Sequence, residues 1–369
     1  MRRFVLGCLV VTTLVTSAPA VGGSPGNQRW AVCGQWRHVP VPDPSAIGEL
    51  SDVAVVSPRE AWAVGALGAE GIREPLVLHW TGLRWERVRF PTLHGDPSFA
   101  ILNALAVVGP HEVWAVGAKG SEGRVTRPFA ARWLGARWRI VPLGDPTLRG
   151  SLQGLAAIPG TDRLWAVGQT EQDALVMSWR GDRWRRYRLP HPSPGRTDVL
   201  SGVVAFANTT WAVGSSFRAG GASRVLAARW NGSSWRSIVG PVGSVEAVDG
   251  ARPNRLWAVG GRPADRPGYE HPAIFGWNGV SWRRVFVGTG IGRLRDVANP
   301  APGVAWAVGD RGGGPFLMRL TAPGWTRTRS PDVPGWFDAI DGTPHNLWLT
   351  HAWLWQGGEP TLFDTYHRC

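Results

Sequence analysis

One four-residue phrase constrains this chain more than any other feature. Trp62-Ala63-Val64-Gly65 recurs as Trp114–Gly117, Trp165–Gly168, Trp211–Gly214, Trp257–Gly260 and Trp306–Gly309, and Trp348-Leu349-Thr350-His351 is a seventh, altered copy. Successive tryptophans of the phrase stand 52, 51, 46, 46, 49 and 42 residues apart. Periods of about 40–50 residues mark propellers and helical arrays. Alternating Trp and Val suit a pleated strand, and a Gly that closes the segment suits a turn. The expected fold is therefore all-β, a seven-bladed β-propeller with four antiparallel strands per blade. In a strand, Trp62 and Val64 share one face and Ala63 and Gly65 the other. Radial stacking then lays the bulky face of one blade on the flat face of the next. A buried Trp removes about 150–250 Å² from water. At about 25 cal/mol per Å², each blade gains at most roughly 4–6 kcal/mol. The tryptophans are thus read as core, not as platforms for sugars or bases.

Each unit reads as four short strands joined by turns. The third and fourth strands carry Trp-x-Gly-x-x-Trp, at Trp80/Trp85, Trp133/Trp138, Trp179/Trp184, Trp230/Trp235 and Trp277/Trp282, while the sixth unit pairs Leu320 with Trp325. The repeats span approximately 50–90, 102–142, 152–190, 200–240, 244–287, 294–329 and 336–369. The seventh reads Trp336–Ile340, Asn346–His351 and Ala352–Trp355, and then loses the pattern. Gln35-Trp36-Arg37-His38-Val39-Pro40 resembles the fourth strand of the first unit. Residues 30–40 are therefore expected to complete the last blade and close the ring, which removes exposed sheet edges. A second arrangement stays open, with Thr361–Tyr366 as the fourth strand and residues 30–40 outside it or adding a fifth.

Met1-Arg2-Arg3, the apolar run Phe4–Val15 and Ala18-Pro19-Ala20 read as a secretory signal peptide over residues 1–20, leaving 21–369 as the propeller. No other apolar run reaches about 18 residues, so no membrane span is expected. Cys8 would leave with the signal. Cys33 and Cys369 would then form a disulfide clasp in an exported, monomeric protein. The formal net charge is +13, and Lys119 is the only lysine. An arginine-rich balance suits anionic partners such as acidic glycans. No Lys/Arg run marks a nucleic-acid arm, so nucleic acid is not an expected partner.

The signal, the six Trp-Ala-Val-Gly copies and the Trp-x-Gly-x-x-Trp pairs together resemble those of secreted bacterial β-propeller repeat proteins. The pattern is more distantly similar to Kelch-type and tectonin-type propellers. The resemblance covers residues 30–369. It implies the propeller fold and, through the distant groups, binding of proteins or carbohydrates. The Gly-His…Trp-Asp signature of WD repeats and the Ser-x-Asp-x-Gly-x-Thr-Trp box of sialidases are absent.

Loops after second and fourth strands are long and variable and should emerge on one side, where binding resides. That side carries Arg73, Arg124, Arg127, Arg149, Arg196, Arg218, Arg224, Arg262 and Arg266, so a basic face is expected. First strands beginning at Leu50, Leu102, Leu152, Leu200, Ser244, Leu294 and Trp336 put Asp52, Glu246, Asp296 and Asp338 at one equivalent position near a central channel. Such a set suits a cation site or an acid/base pair. It equally suits strand-end carboxylates that accept hydrogen bonds or pair with arginine. Residues Arg262 to Pro272 read as a long proline-stiffened loop, with Tyr269, Glu270 and His271 as recognition or glycosidase-like candidates. No catalytic set, metal site or cofactor motif is readable: His-Glu-x-x-His, Cys-x-x-Cys and Gly-x-Ser-x-Gly are all absent. The expected function is a secreted, extracellular, non-catalytic module that recognises a glycan, wall polymer or protein through its long-loop face. The alternative is an extracellular polysaccharide-active enzyme of glycosidase or lyase type, with carboxylates at the channel mouth.

Overall fold

The computed structural model describes residues 34–43, 47–68, 72–95, 98–121, 126–171, 173–190, 195–218, 221–285, 287–354 and 361–369. The expected signal peptide, Cys33 and Arg124 lie outside them. The described residues form strands and turns, and none of them is in a helix long and apolar enough to cross a membrane.

Seven four-stranded antiparallel sheets account for the fold. The first comprises Gly48–Ser57, Glu60–Leu67, Glu74–Trp80 and Trp85–Arg87, in that order from inside to outside. Sheets two to six repeat this order, with innermost strands Phe99–Gly109, Ser151–Ala157, Thr197–Phe206, Ser244–Arg252 and Gly292–Ala301. Each innermost strand packs beside the next, and that of the seventh sheet, Trp336–Thr343, returns to the first. The chain is a seven-bladed β-propeller.

The ring closes in blade 7. Its strands run Trp336–Thr343, Asn346–Leu354, Thr361–Arg368 and finally Arg37–Val39 from the opposite end of the chain. Arg37 pairs with His367 and Val39 with Thr365. The N-terminal segment is thus the fourth strand, and Thr361–Arg368 is the third. Ala352 to Leu354, expected to open a third strand, instead continue the second, where Ala352 pairs with Phe363. The break in the repeat therefore falls between the second and third strands, not after the third. Trp36 meets Trp306 of blade 6 at 6.1 Å, filling the place that Trp85 takes against Trp348 at 5.0 Å. At the seam, Gly34 N–H donates to the Cys369 carbonyl at 3.1 Å.

The blades stack through their tryptophans. Trp62 and Val64 pack with Ala115 and Leu102 of blade 2, bulky face on flat face. Trp62 also contacts the Trp133/Trp138 pair of that blade at 5.1 and 5.8 Å. Trp114, Trp165, Trp211 and Trp348 meet the corresponding pair of the next blade at 4.8–6.0 Å. Tilted and edge-on contacts of this kind suit the ring quadrupole. The third strand covers the other side of several indoles: His79 stacks on Trp62 at 4.1 Å, and Arg132, Arg229 and Arg319 lie over Trp114, Trp211 and Trp306 at 5.3, 5.7 and 4.9 Å.

Gly65 does not close a turn. It lies inside the second strand, opposite Leu50, where the first strand bulges by one residue before Asp52. A Cβ on Gly65 would stand 1.9 Å from the Glu49 carbonyl oxygen, and on Gly117 the same distance from that of Ile101. The repeated glycine admits the bulged backbone.

Candidate functional site

The first strands of all seven blades line an axial cavity of about 160 Å³, and Asp52, Glu246, Asp296 and Asp338 all reach it. They do not share one position, as the sequence alignment had them. Leu50, Val245, Leu294 and Phe337 occupy the same place in the register, each just before the bulge. Asp52 and Asp296 follow two residues later; Glu246 and Asp338 follow one residue later. The sequence spacing starts blades 5 and 7 one residue early, because Ser244 and Trp336 precede the true anchors, Val245 and Phe337, both buried.

The two positions do different work. Asp52 accepts from its neighbour Val53 N–H and from Leu105 N–H of blade 2, each at 2.7 Å. Asp296 accepts from Val297 and from Ile340 of blade 7, each at 2.8 Å. Two further aspartates, absent from the candidates, act alike. Asp249 holds Gly250 and Asn299 of blade 6 at 2.7 and 2.6 Å, and Asp341 holds Val55 of blade 1 at 2.7 Å. These four are staples from one blade to the backbone of the next. Desolvation pushes Asp52 and Asp341 up to about 7, against the pull of their backbone donors. Asp296 is raised well above the usual range by desolvation and then by Asp52.

Glu246 and Asp338 belong instead to a charged network at the long-loop mouth of the cavity. Arg293 reaches Glu246 and Glu270, each at 3.2 Å, and Ser244 Oγ donates to Glu270 at 2.8 Å. Arg295 lies between Asp310 and Asp338 at 3.4 and 3.6 Å, with its guanidinium 5.2 Å above the half-buried Trp336 ring. Trp336 Nε1 donates to both Asp338 oxygens at 2.9 and 3.0 Å. Desolvation pushes Asp338 up to about 7 despite Arg295, and raises Asp310 as well. Arg293, Arg295, Asp310 and Trp336 were not among the candidates. Their signal was the alternation Arg293-Leu294-Arg295, which brackets a buried anchor with two exposed or half-buried guanidinium groups.

No known family model and no curated protein matches the chain. Solved structures do. It is similar to SapL1 lectin, solved in complex with alpha methyl fucoside, at 13% identity and a TM-score of 0.46, over 78% of this chain and 97% of that one. It is also similar to the extracellular domain of the hybrid two-component system BT4673 from B. thetaiotaomicron, at 10% identity and a TM-score of 0.52. That match covers 90% of this chain but 39% of the other. At such identities the likeness concerns the fold alone.

The remaining candidates are dispersed over the propeller. Arg262, Glu270 and His271 are strand residues, with Arg262 paired to His271, so the supposed long loop is a hairpin extension turning at residues 264–269. There Arg266 lies 4.3 Å over the exposed Tyr269 ring. His271 Nδ1 is 2.8 Å from the Gly290 carbonyl. Exposed Arg127 and Arg224 begin the third strands of blades 2 and 4 and donate to the Pro146 and Gly240 carbonyls. Of the ten candidates, then, Glu246, Glu270 and Asp338 meet at the mouth, and Asp52 and Asp296 lie below it. The other five do not join them.

Proposed function

We propose that this propeller is an exported, monomeric, non-catalytic carbohydrate-binding module that takes its ligand at the long-loop mouth of the axial cavity. One observation carries the reading. The mouth alternates guanidinium and carboxylate groups beside an indole, through Arg293, Glu246, Glu270, Arg295, Asp338 and Trp336. Sugar hydroxyls both donate and accept, and charged partners make the stronger hydrogen bonds. The enzyme alternative is less well supported by the same residues. Asp52 and Asp296 each hold two backbone N–H groups, and Glu246 and Asp338 face arginine. General acid/base work needs a carboxyl poised toward substrate rather than tied to the scaffold. Cleavage of the signal after Ala20 and a Cys33–Cys369 bond belong to this reading.

A glycan panel probed at several salt concentrations tests it. The expected result is binding that weakens as salt rises and that drops about tenfold in Arg295→Ala, the loss of one charge-assisted contact. Absence of binding to every glycan, or release of new reducing ends from a bound polysaccharide, would reject it.

A further inference from the structure

Two grooves on the outer rim share an acid and two arginines at equivalent positions, and the blade 3 groove also carries the carboxylate of Asp198 where the blade 1 groove has Ala100. In blade 1, Leu76 pairs with Gly65, and in blade 3 Leu175 pairs with Gly168. Trp85 pairs with Trp80, and Trp184 with Trp179. By that register Glu74 corresponds to Asp173, Arg87 to Arg186, and Arg89 to Arg188. Each set lines a groove at the junction with the following blade, of about 570 Å³ at blade 1 and about 430 Å³ at blade 3. Both grooves share an apolar wall: Val88 and Phe90 in one, Tyr187 and Leu189 in the other. Arg87 is tied to Glu74 at 2.6 Å. Arg89 and Arg188 are exposed, and neither has an ion-pair partner among the described residues.

Among the described residues no other blade holds the full set. Blade 2 has Arg127, Ile140 and Pro142 at these three positions; blade 4 has Arg224, Ser237 and Val239. Blade 6 keeps Arg327 and Arg329 but has Gly314 in place of the acid. The combination is thus specific to blades 1 and 3, with the guanidinium of Arg127 on the blade between them.

We infer that these grooves are two equivalent subsites for the acidic sugar units of an anionic polysaccharide, an inference that rests on the glycan-binding reading and names its ligand class. A uronate ring offers what each groove complements. Its carboxylate suits the unpaired Arg89 or Arg188, since guanidinium and carboxylate form paired hydrogen bonds. Its hydroxyls suit Glu74 or Asp173 as acceptors, and its C–H face suits Phe90 or Leu189.

Calorimetric titration of the full chain with a defined oligouronate tests the inference. Wild type is expected to show two equivalent sites that Arg295→Ala leaves in place, apart from binding at the mouth. Arg89→Ala and Arg188→Ala should each remove one, and the double variant should bind at least about tenfold more weakly. The exposed Arg139→Ala/Arg236→Ala pair, outside both grooves, controls for net charge and should match wild type. The methyl-esterified oligomer should fail to bind. Wild-type affinity in the double variant, equal binding of the methyl ester, or equal competition by single-stranded DNA through the same arginines would overturn the inference. Oligouronate binding that ignores the groove variants but weakens in Arg295→Ala would reject the grooves and leave the mouth reading standing. Absence of binding to acidic and neutral glycans alike would reject both.

Discussion

The ring is closed in two different ways on its two sides. From blade 5 through 6, 7 and 1 to blade 2, every junction is stapled by an aspartate: Asp249, Asp296, Asp341 and Asp52 each accept a backbone N–H from the following blade. From blade 2 through 3 and 4 to blade 5, the position of Asp52 is held by Ala104, Gly154 and Gly202. There the backbones close in. A Cβ on Gly154 would stand 2.8 Å from the Ser201 carbonyl oxygen, and on Gly202 3.0 Å from Val248 N. Polar groups on this side are neutral, as where Asn103 donates to the Leu152 carbonyl at 2.7 Å. The same tryptophan packing therefore tolerates either a carboxylate between neighbouring first strands or direct contact between them. The choice also polarises the cavity. Arg295, Asp296, Asp338 and Glu246 lie on the stapled side, facing Gln153 and Ser201. The mouth network inherits its charge from that side.

The largest effect is expected where there is no room. Gly202→Val should place a branched side chain against the blade 5 backbone, and the glycine side has no flexible group to yield. Overpacking costs about 1–3 kcal/mol even in forgiving cores, so valine is expected at or above that range and alanine within it. Denaturant unfolding measures this. A Gly202→Val protein as stable as wild type would mean that the two sides do not differ in spacing.

A middle effect is expected from removing a staple. Asp296→Ala leaves the Ile340 N–H without its partner in a buried strand, a loss of about 1–3 kcal/mol. Asp296→Asn retains an acceptor oxygen and should lose less. Hydrogen exchange should locate the damage: Ile340 should lose protection, while amides of blades 3 and 4 keep theirs. Uniform loss around the ring would show that the junctions are not independent.

Much of this architecture could be read from the chain itself. Trp62 and its copies announce their own register, because an indole buried at six junctions and half-buried at the seventh, as Trp257, cannot shift by one residue without exposing the rest. Trp36 marks the closing strand for the same reason. Registers failed where an anchor was imitated. Ser244 and Trp336 stand where strands begin, yet Val245 and Phe337 are the residues that bury. Asp249 and Asp341 are not legible because the same position is Ala54, Ala106, Ala156, Val204 and Ala298 in the other five blades, and two acids among small apolar residues make no pattern. Arg127 and Arg224 looked like free basic groups. In the fold they are spent on carbonyls, a partnership that depends on loops without repeat character. The grooves at Arg89 and Arg188 needed the pairing of third and fourth strands before their shared chemistry became visible.

The smallest effect is one of pH, and its sign distinguishes the two sides most directly. Asp52, Asp341 and Asp338 are each raised from 3.8 to about 7, chiefly by desolvation. A carboxyl raised in the folded state binds its proton more tightly there than in the unfolded chain. Its contribution to stability is complete below the unfolded value and is lost progressively as pH rises toward 7. His367 works the other way: desolvation lowers it to about 4, so its contribution falls as pH drops from 6.5 toward 4. Asp249, Asp296 and Asp310 are raised as well and His351 is lowered, so six carboxyls oppose two histidines, and thermal stability should decline from about pH 5 to about pH 7.5, most purely above the range of His367. The rise of Asp52 to about 7 is what remains after its two backbone donors have offset part of the desolvation, so removing this one group should flatten the decline without abolishing it. Melting temperatures of wild type and Asp52→Asn across this range test the point. Parallel curves would mean that the staple stays ionised throughout, and that the carboxylate side is held by charge as firmly as the glycine side is held by contact.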